Sequence, residues 1–142
     1  MTIQMYAAVK DEIMKTIGAA QPESGGILAC CKDRTIIDYY FDIEAGTGKL
    51  CYIPSKAAIE RQLNDVWSHY GYYFGGFVHS HPANAVSTLS SSDIRMAETI
   101  IHHNQLDEML LMVVHNKNLY VWLAYLDEES RLQLKDCSLT IV

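Results

Sequence analysis

Apolar residues recur every four positions at Met5, Val9, Ile13 and Ile17, which predicts one helix over residues 4–17, ended by Gly18. The apolar run 27–31 predicts a short buried strand, and Asp33-Arg34 a turn. Ile37, Tyr39, Phe41 and Ile43 then alternate with mostly polar neighbours, the period of a half-buried strand. Residues 45–48 read as a loop and 50–53 as a third short strand. Ile59, Leu63, Val66, Trp67 and Tyr70 share one face of a predicted helix over 55–70, with Trp67 as its core anchor and Gly71 as its stop. The run 74–78 predicts a strand in which Gly75-Gly76 marks a close backbone approach or a bulge.

A loop over 82–89 leads to a predicted helix over 90–104, with Ile94, Ala97, Ile100 and Ile101 facing inward. The segment 109–115 is a fully apolar strand, turned by 115–118 into a second strand over 119–126. Residues 127–130 turn again into a last strand ending near Val142. The order αβββαβαββ mixes hairpins with helical crossovers, which predicts a mixed sheet with helices packed on its faces. The 142 residues suit one domain, 1–142, and no internal repeat or linker interrupts them.

Composition narrows the function classes. Net charge is −6 with no Lys/Arg cluster, which argues against nucleic acid as a partner. The longest apolar runs are too short to span a bilayer, and the N-terminus shows no signal-peptide pattern, so a cytoplasmic protein is expected. Cys30, Cys31, Cys51 and Cys137 make no CxxC pair. Cys30 and Cys31 are expected as buried, reduced thiols. His69, His102, His103 and His115 are expected at solvated element ends.

The candidate chemistry lies at the end of the 74–78 strand. His79 and His81, two apart, lean to the same side of an extended backbone and can reach one ion. Asp93 comes twelve residues after His81, at a predicted helix start, and can fold back as a third ligand. Two imidazoles and a carboxylate suit Zn2+, and three protein ligands leave a fourth position for water, the pattern of a catalytic site. A second reading stays open for Asp93: Ser90-x-x-Asp93 also fits a helix capping box. Ser80, between the two histidines, points the other way along the strand.

The segments His79-x-His81-Pro82-x7-Ser90-x2-Asp93 and, upstream, Glu23-Ser24-Gly25-Gly26-Ile27 resemble the JAMM/MPN zinc metallopeptidase family. The resemblance implies an α/β fold: a single α-β-α layered domain with a central mixed β-sheet, similar to the cytidine-deaminase architecture. It implies zinc held by His79, His81 and Asp93. It implies Glu23 as the general base that takes the attacking water's proton and hands it to the leaving amine. Ser90 would donate to the developing oxyanion or orient the water; as residues alone, Glu23 also reads as a solvated loop position. The implied reaction is hydrolysis of a peptide or isopeptide bond after the C-terminus of a ubiquitin-like protein. The chain is as short as prokaryotic members and lacks a long insertion, which favours a small sulfur-carrier protein or a peptide as substrate. A non-catalytic scaffold module of the same family is the alternative. A nucleobase deaminase is disfavoured, since His-x-Glu and Pro-Cys-x-x-Cys are missing.

Overall fold

The computed structural model describes residues 1–18, 24–47, 52–82 and 88–142. Strands β1 (Thr2–Met5), β2 (Gly25–Cys30), β3 (Ile36–Phe41), β6 (Tyr73–Ser80), β7 (Glu108–His115), β8 (Asn118–Leu126) and β9 (Leu132–Ile141) close into one barrel in the order β1-β3-β2-β6-β7-β8-β9. Two-residue strands β4 (Gly46–Thr47) and β5 (Tyr52–Ile53) pair separately. The helices are α1 (Ala7–Thr16), α2 (Lys56–Arg61) and α3 (Ser91–His103). Among the described residues the architecture is thus a closed, seven-stranded mixed barrel with three short helices, which corrects the expected α-β-α layered domain of cytidine-deaminase type.

The physical reason is β1. Its burial alternates, with Ile3 and Met5 inside, and its backbone pairs in parallel with β9 over four residues, Thr2 with Ser138 through Met5 with Ile141. Its other edge meets β3 at Met5 and Ile36, and Tyr6 N–H donates to the Ile36 carbonyl at 3.0 Å. A sheet that would otherwise end in two open edges is thereby joined to itself. The spacing of four had assigned Met5 to the helix, because it lies four residues before Val9. The helix begins instead at Ala7, and Val9, Ile13 and Ile17 form its buried stripe.

Two apolar clusters fill the molecule. One joins Val9, Ile13 and Ile17 to Ile3, Met5, Leu28, Val78, Met112, Val121 and Leu123. The other joins Ile59 and Trp67 with Ala97 and Ile101 of α3 to Ile27, Phe77, Leu111 and Val113. β3 is consequently covered on both sides, with Tyr39 and Phe41 on one cluster and Ile37 and Tyr40 on the other. It is half-buried as expected, with Ile36 fully buried and residues 37–41 partly exposed, and Ile43, beyond its end, is 77% exposed.

The predicted 55–70 helix is present as three turns of different pitch. Ser55 caps α2 by accepting from Ala58 N–H at 3.4 Å. A π-turn over Gln62–Val66 and a 3-10 turn over Trp67–Tyr70 follow. The wider turn rotates what comes after it. Trp67 is fully buried, with its indole N–H donating to Asp38 Oδ2 at 2.9 Å, while Val66 and Tyr70 are exposed. Gly71 ends the segment in the left-handed region at φ 69.

Cys30 is buried as expected, and burial, with Cys31, Asp33 and Glu108 adding to it, pushes its thiol up to about 12. Cys31 is half-buried and donates to Asp33 Oδ1 at 2.8 Å; Cys51 lies outside the described residues. Among the described residues no helix is long and apolar enough to cross a membrane.

The strand that carries the histidines is clamped between neighbours of opposite sense. β6 pairs antiparallel with β2 and parallel with β7, and the β2 register shifts between Leu28 and Ala29. At Gly76 (φ 150) an added Cβ would lie 1.8 Å from the Leu110 carbonyl oxygen, so only glycine permits this approach. At Gly71 the same Cβ would meet nothing within 4 Å. Gly71→Ala is therefore expected to cost about 1–2 kcal/mol through backbone strain alone. Gly76→Ala, which adds a backbone collision, should lower the urea midpoint substantially more. Equal midpoints for the two variants would refute the tight β6–β7 approach.

Candidate metal centre

His79 is the penultimate residue of β6, level with Gly25 of β2 and Val113 of β7. Both neighbours hold the chain beyond it. Ser80 N–H donates to the Ser24 carbonyl at 3.0 Å, and His81 N–H donates to the Val114 carbonyl at 3.0 Å. The extended backbone thus continues far enough to put both imidazoles on one side, with ring centroids 4.9 Å apart. Ser80, facing away, is buried and its hydroxyl lies 3.5 Å from the Ser24 carbonyl.

Asp93 arrives on the first turn of α3. The Ser90 hydroxyl accepts from Asp93 N–H at 3.2 Å, and Asp93 Oδ2 accepts from Ser90 N–H at 2.8 Å, a complete capping box. The same carboxylate faces the histidines, with Oδ1 3.0 Å from His79 Nε2 and Oδ2 3.2 Å from His81 Nε2. The capping box is therefore formed, and the same side chain also faces both histidines. The cap sets the rotamer, and the rotamer aims the carboxylate at the strand end.

His79 and Asp93 are buried, 3% and 7% exposed. Burial pushes the Asp93 carboxyl up, but hydrogen bonds from His79 and His81, the electrostatic pull of His79 and the Ser90 N–H outweigh it. They hold the group well below the usual carboxylate range, so it is an anion at neutral pH. A position at the start of α3 adds the positive end of the helix dipole.

The donor atoms fit a metal. His79 Nε2 lies 3.1 Å from His81 Nε2 and 3.0 Å from Asp93 Oδ1, and His81 Nε2 lies 3.2 Å from Asp93 Oδ2. Tetrahedral zinc with ligand bonds of 2.0–2.1 Å has ligand–ligand edges of about 3.3 Å. Two imidazoles and a carboxylate are also a donor set that suits Zn2+. The group His79, His81, Asp93 has all its ligand atoms within 4.8 Å of one another. His79 Nδ1 is buried with no hydrogen-bond partner among the described residues, so packing, and no second-shell acceptor there, orients that ring.

Ser90 sits at the mouth of this cluster and is exposed. Its hydroxyl spends an acceptor on the cap, and its proton remains available, with Ser92 Oγ at 3.3 Å as a neighbour. Glu23 lies outside the described residues. Its covalent neighbour Ser24 is tied to Ser80, between the two histidines.

His115 and Asp42 are buried as well. His115 was expected in solvent and is 8% exposed, with Nε2 unpartnered among the described residues. The signal was its place at the end of a fully apolar run. Asp42 is 3% exposed and accepts from the Tyr52 hydroxyl at 2.8 Å and from Ser55 N–H at 2.7 Å, which anchors β5 and the start of α2 beside β2. His69, His102 and His103 are exposed, as expected.

No family model and no curated protein matches this sequence. Among solved structures, the solution structure of protein DSY2949 from Desulfitobacterium hafniense is similar, with a TM-score of 0.60 at 16% identity over 99% of this chain and 94% of that one. At that identity the likeness shows the fold.

Protein purified without added metal is expected to carry about one Zn2+ per chain, and His79→Ala/His81→Ala to carry none. Metal analysis on both preparations checks this. A stoichiometric ion in the folded double variant would refute the site.

Proposed function

We propose that the protein is a zinc-dependent peptidase or isopeptidase whose reacting groups are those of the JAMM/MPN family. The observation that carries the reading is the convergence of His79, His81 and Asp93 in one buried cluster whose ligand atoms all lie within 4.8 Å of one another. A Zn2+ held there supplies Lewis acidity and brings the pKa of a water toward neutrality.

The chain's own residues then have separable tasks. Asp93 contributes the anion that balances the ion's charge, held in place by its cap. Ser90 keeps a hydroxyl proton to direct at an oxyanion, because its cap uses the oxygen's lone pair only. Glu23 takes and returns the proton, as the resemblance implies. The substrate class proposed is the C-terminal peptide or isopeptide bond of a ubiquitin-like or small sulfur-carrier protein. The setting proposed is the cytoplasm, where Cys30, Cys31 and Cys137 remain free thiols.

The test is a cleavage screen on ubiquitin-like and sulfur-carrier fusions with the zinc-loaded protein. Chelator-sensitive cleavage is expected. Stoichiometric zinc with no cleavage of any fusion would favour the scaffold reading instead.

Two substitutions assign the roles. Glu23→Gln should keep zinc and lose most turnover, since Gln is nearly isosteric but cannot accept the proton. Loss of metal in that variant would make Glu23 a ligand, and full activity would remove it from the chemistry. Ser90→Ala should lose about 1 kcal/mol of stability through the cap. It should also slow hydrolysis roughly 10^2-fold through the oxyanion. Thermal midpoint and turnover measured on the same preparation separate the two effects; a lowered midpoint with an unchanged rate would leave Ser90 a cap only.

A further inference from the structure

The barrel seam between β8 and β9 is closed over only part of its length. β8 pairs with β9 from Val121 with Cys137 to Leu126 with Leu132. Continuing that register would match Tyr120 with Ser138, but Ser138 and the three residues after it pair with β1 on the opposite edge of β9. Drawn toward β1, β9 leaves β8 there. Residues 118–120 of β8 are paired with β7 on one side, and among the described residues no strand pairs with their other side. At the fork lies an open groove of about 500 Å³, lined by Leu119, Tyr120, Ser138 and Leu139 and reaching over the paired residues Trp122 and Asp136.

We propose that this fork docks the extended tail of the substrate protein, an inference that rests on the hydrolase reading above. Three observations on the groove point to that occupant. Its facing strand edges offer backbone donors and acceptors, which an extended peptide satisfies by adding as a strand. Among the described residues its lining holds one carboxylate, Asp136, and no lysine or arginine, which favours a basic side chain on the tail beside an apolar one against Leu119 and Leu139. It also lies level with the candidate site in the strand register. Tyr120 is level with Val113, and Val113 with His79, so the groove's β8 wall stands two strands from the ligand strand, about 10 Å at ordinary strand spacing. Thr88, on the rim, is two residues before Ser90. An extended chain leaving the fork covers roughly 14 Å in four or five residues, enough to present its end to His79 and Asp93.

The experiment measures docking without turnover. The full 15N-labelled chain is titrated with a peptide that alternates valine and lysine and ends in two glycines. Amide shifts are expected at residues 118–121 and 138–139 and at Thr88. A version of the peptide N-methylated at alternate amides should bind roughly tenfold more weakly, because main-chain hydrogen bonds carry strand addition. Asp136→Asn should weaken the lysine peptide and leave unchanged a peptide with leucine in place of lysine. No shifts in the fork at millimolar peptide, or equal binding of the N-methylated peptide, would overturn the proposal. So would the same amides responding to dilution of the protein alone, since a second copy would then be the occupant. Failure of the hydrolase reading is distinguishable: peptide bound in the fork with every fusion uncut removes the catalysis and leaves the docking. Fusions cut with the fork silent remove the docking alone.

Discussion

A carboxylate that is 7% exposed and ionised at neutral pH must be surrounded by donors or positive charge, and Asp93 sets the arrangement of this end of the molecule through that requirement. Its oxygens are taken up by Ser90 N–H and by the His79 and His81 rings. The first partner belongs to its own helix and the other two to a strand end that reaches it only through the fold. The start of α3 and the end of β6 therefore have to meet. Once they have met, two imidazole nitrogens and a carboxylate stand 3.0 to 3.2 Å apart, a donor set of the type that holds a metal ion.

What makes that meeting reproducible is the clamping of β6. Its backbone is bonded to β2 on one side and β7 on the other, and at Gly76 it approaches Leu110 too closely for any side chain. A strand held on both edges, with its last residues fixed by Ser24 and Val114, leaves the rings little freedom to rearrange. Preorganisation of this kind matters for a metal centre because ligands misplaced by about 1 Å lose the geometry the ion requires. The same economy of backbone pairing explains the fork. β9 serves β8 with its first half and β1 with its second, so closing the barrel at β1 opens it beside β8.

Local regularities in the sequence determined much of this protein. The stripe Val9, Ile13, Ile17 and the faces of α3 follow from a period near 3.6. The apolar run ending at His115 and the turn at Asn116 and Lys117, both at positive φ, follow from the strand and hairpin signals that bound them. The spacing of Ser90 and Asp93 determined the cap, and the His79, His81, Asp93 set was legible because the histidines fall at the end of the β6 segment and Asp93 in the first turn of α3. Tertiary structure alone decided the rest, since periodicity reports the surroundings of one segment and not which partner its backbone finds. Met5 fits a helical stripe and a strand equally well, and only the claim of β9 on its backbone makes it a strand and turns an open layered sheet into a closed barrel. Val66 and Tyr70 leave the buried face because one π-turn changes the phase, which no repeat of apolar residues announces. His115 is polar by composition yet buried by position, because the strand it ends lies between two others that hold it inside.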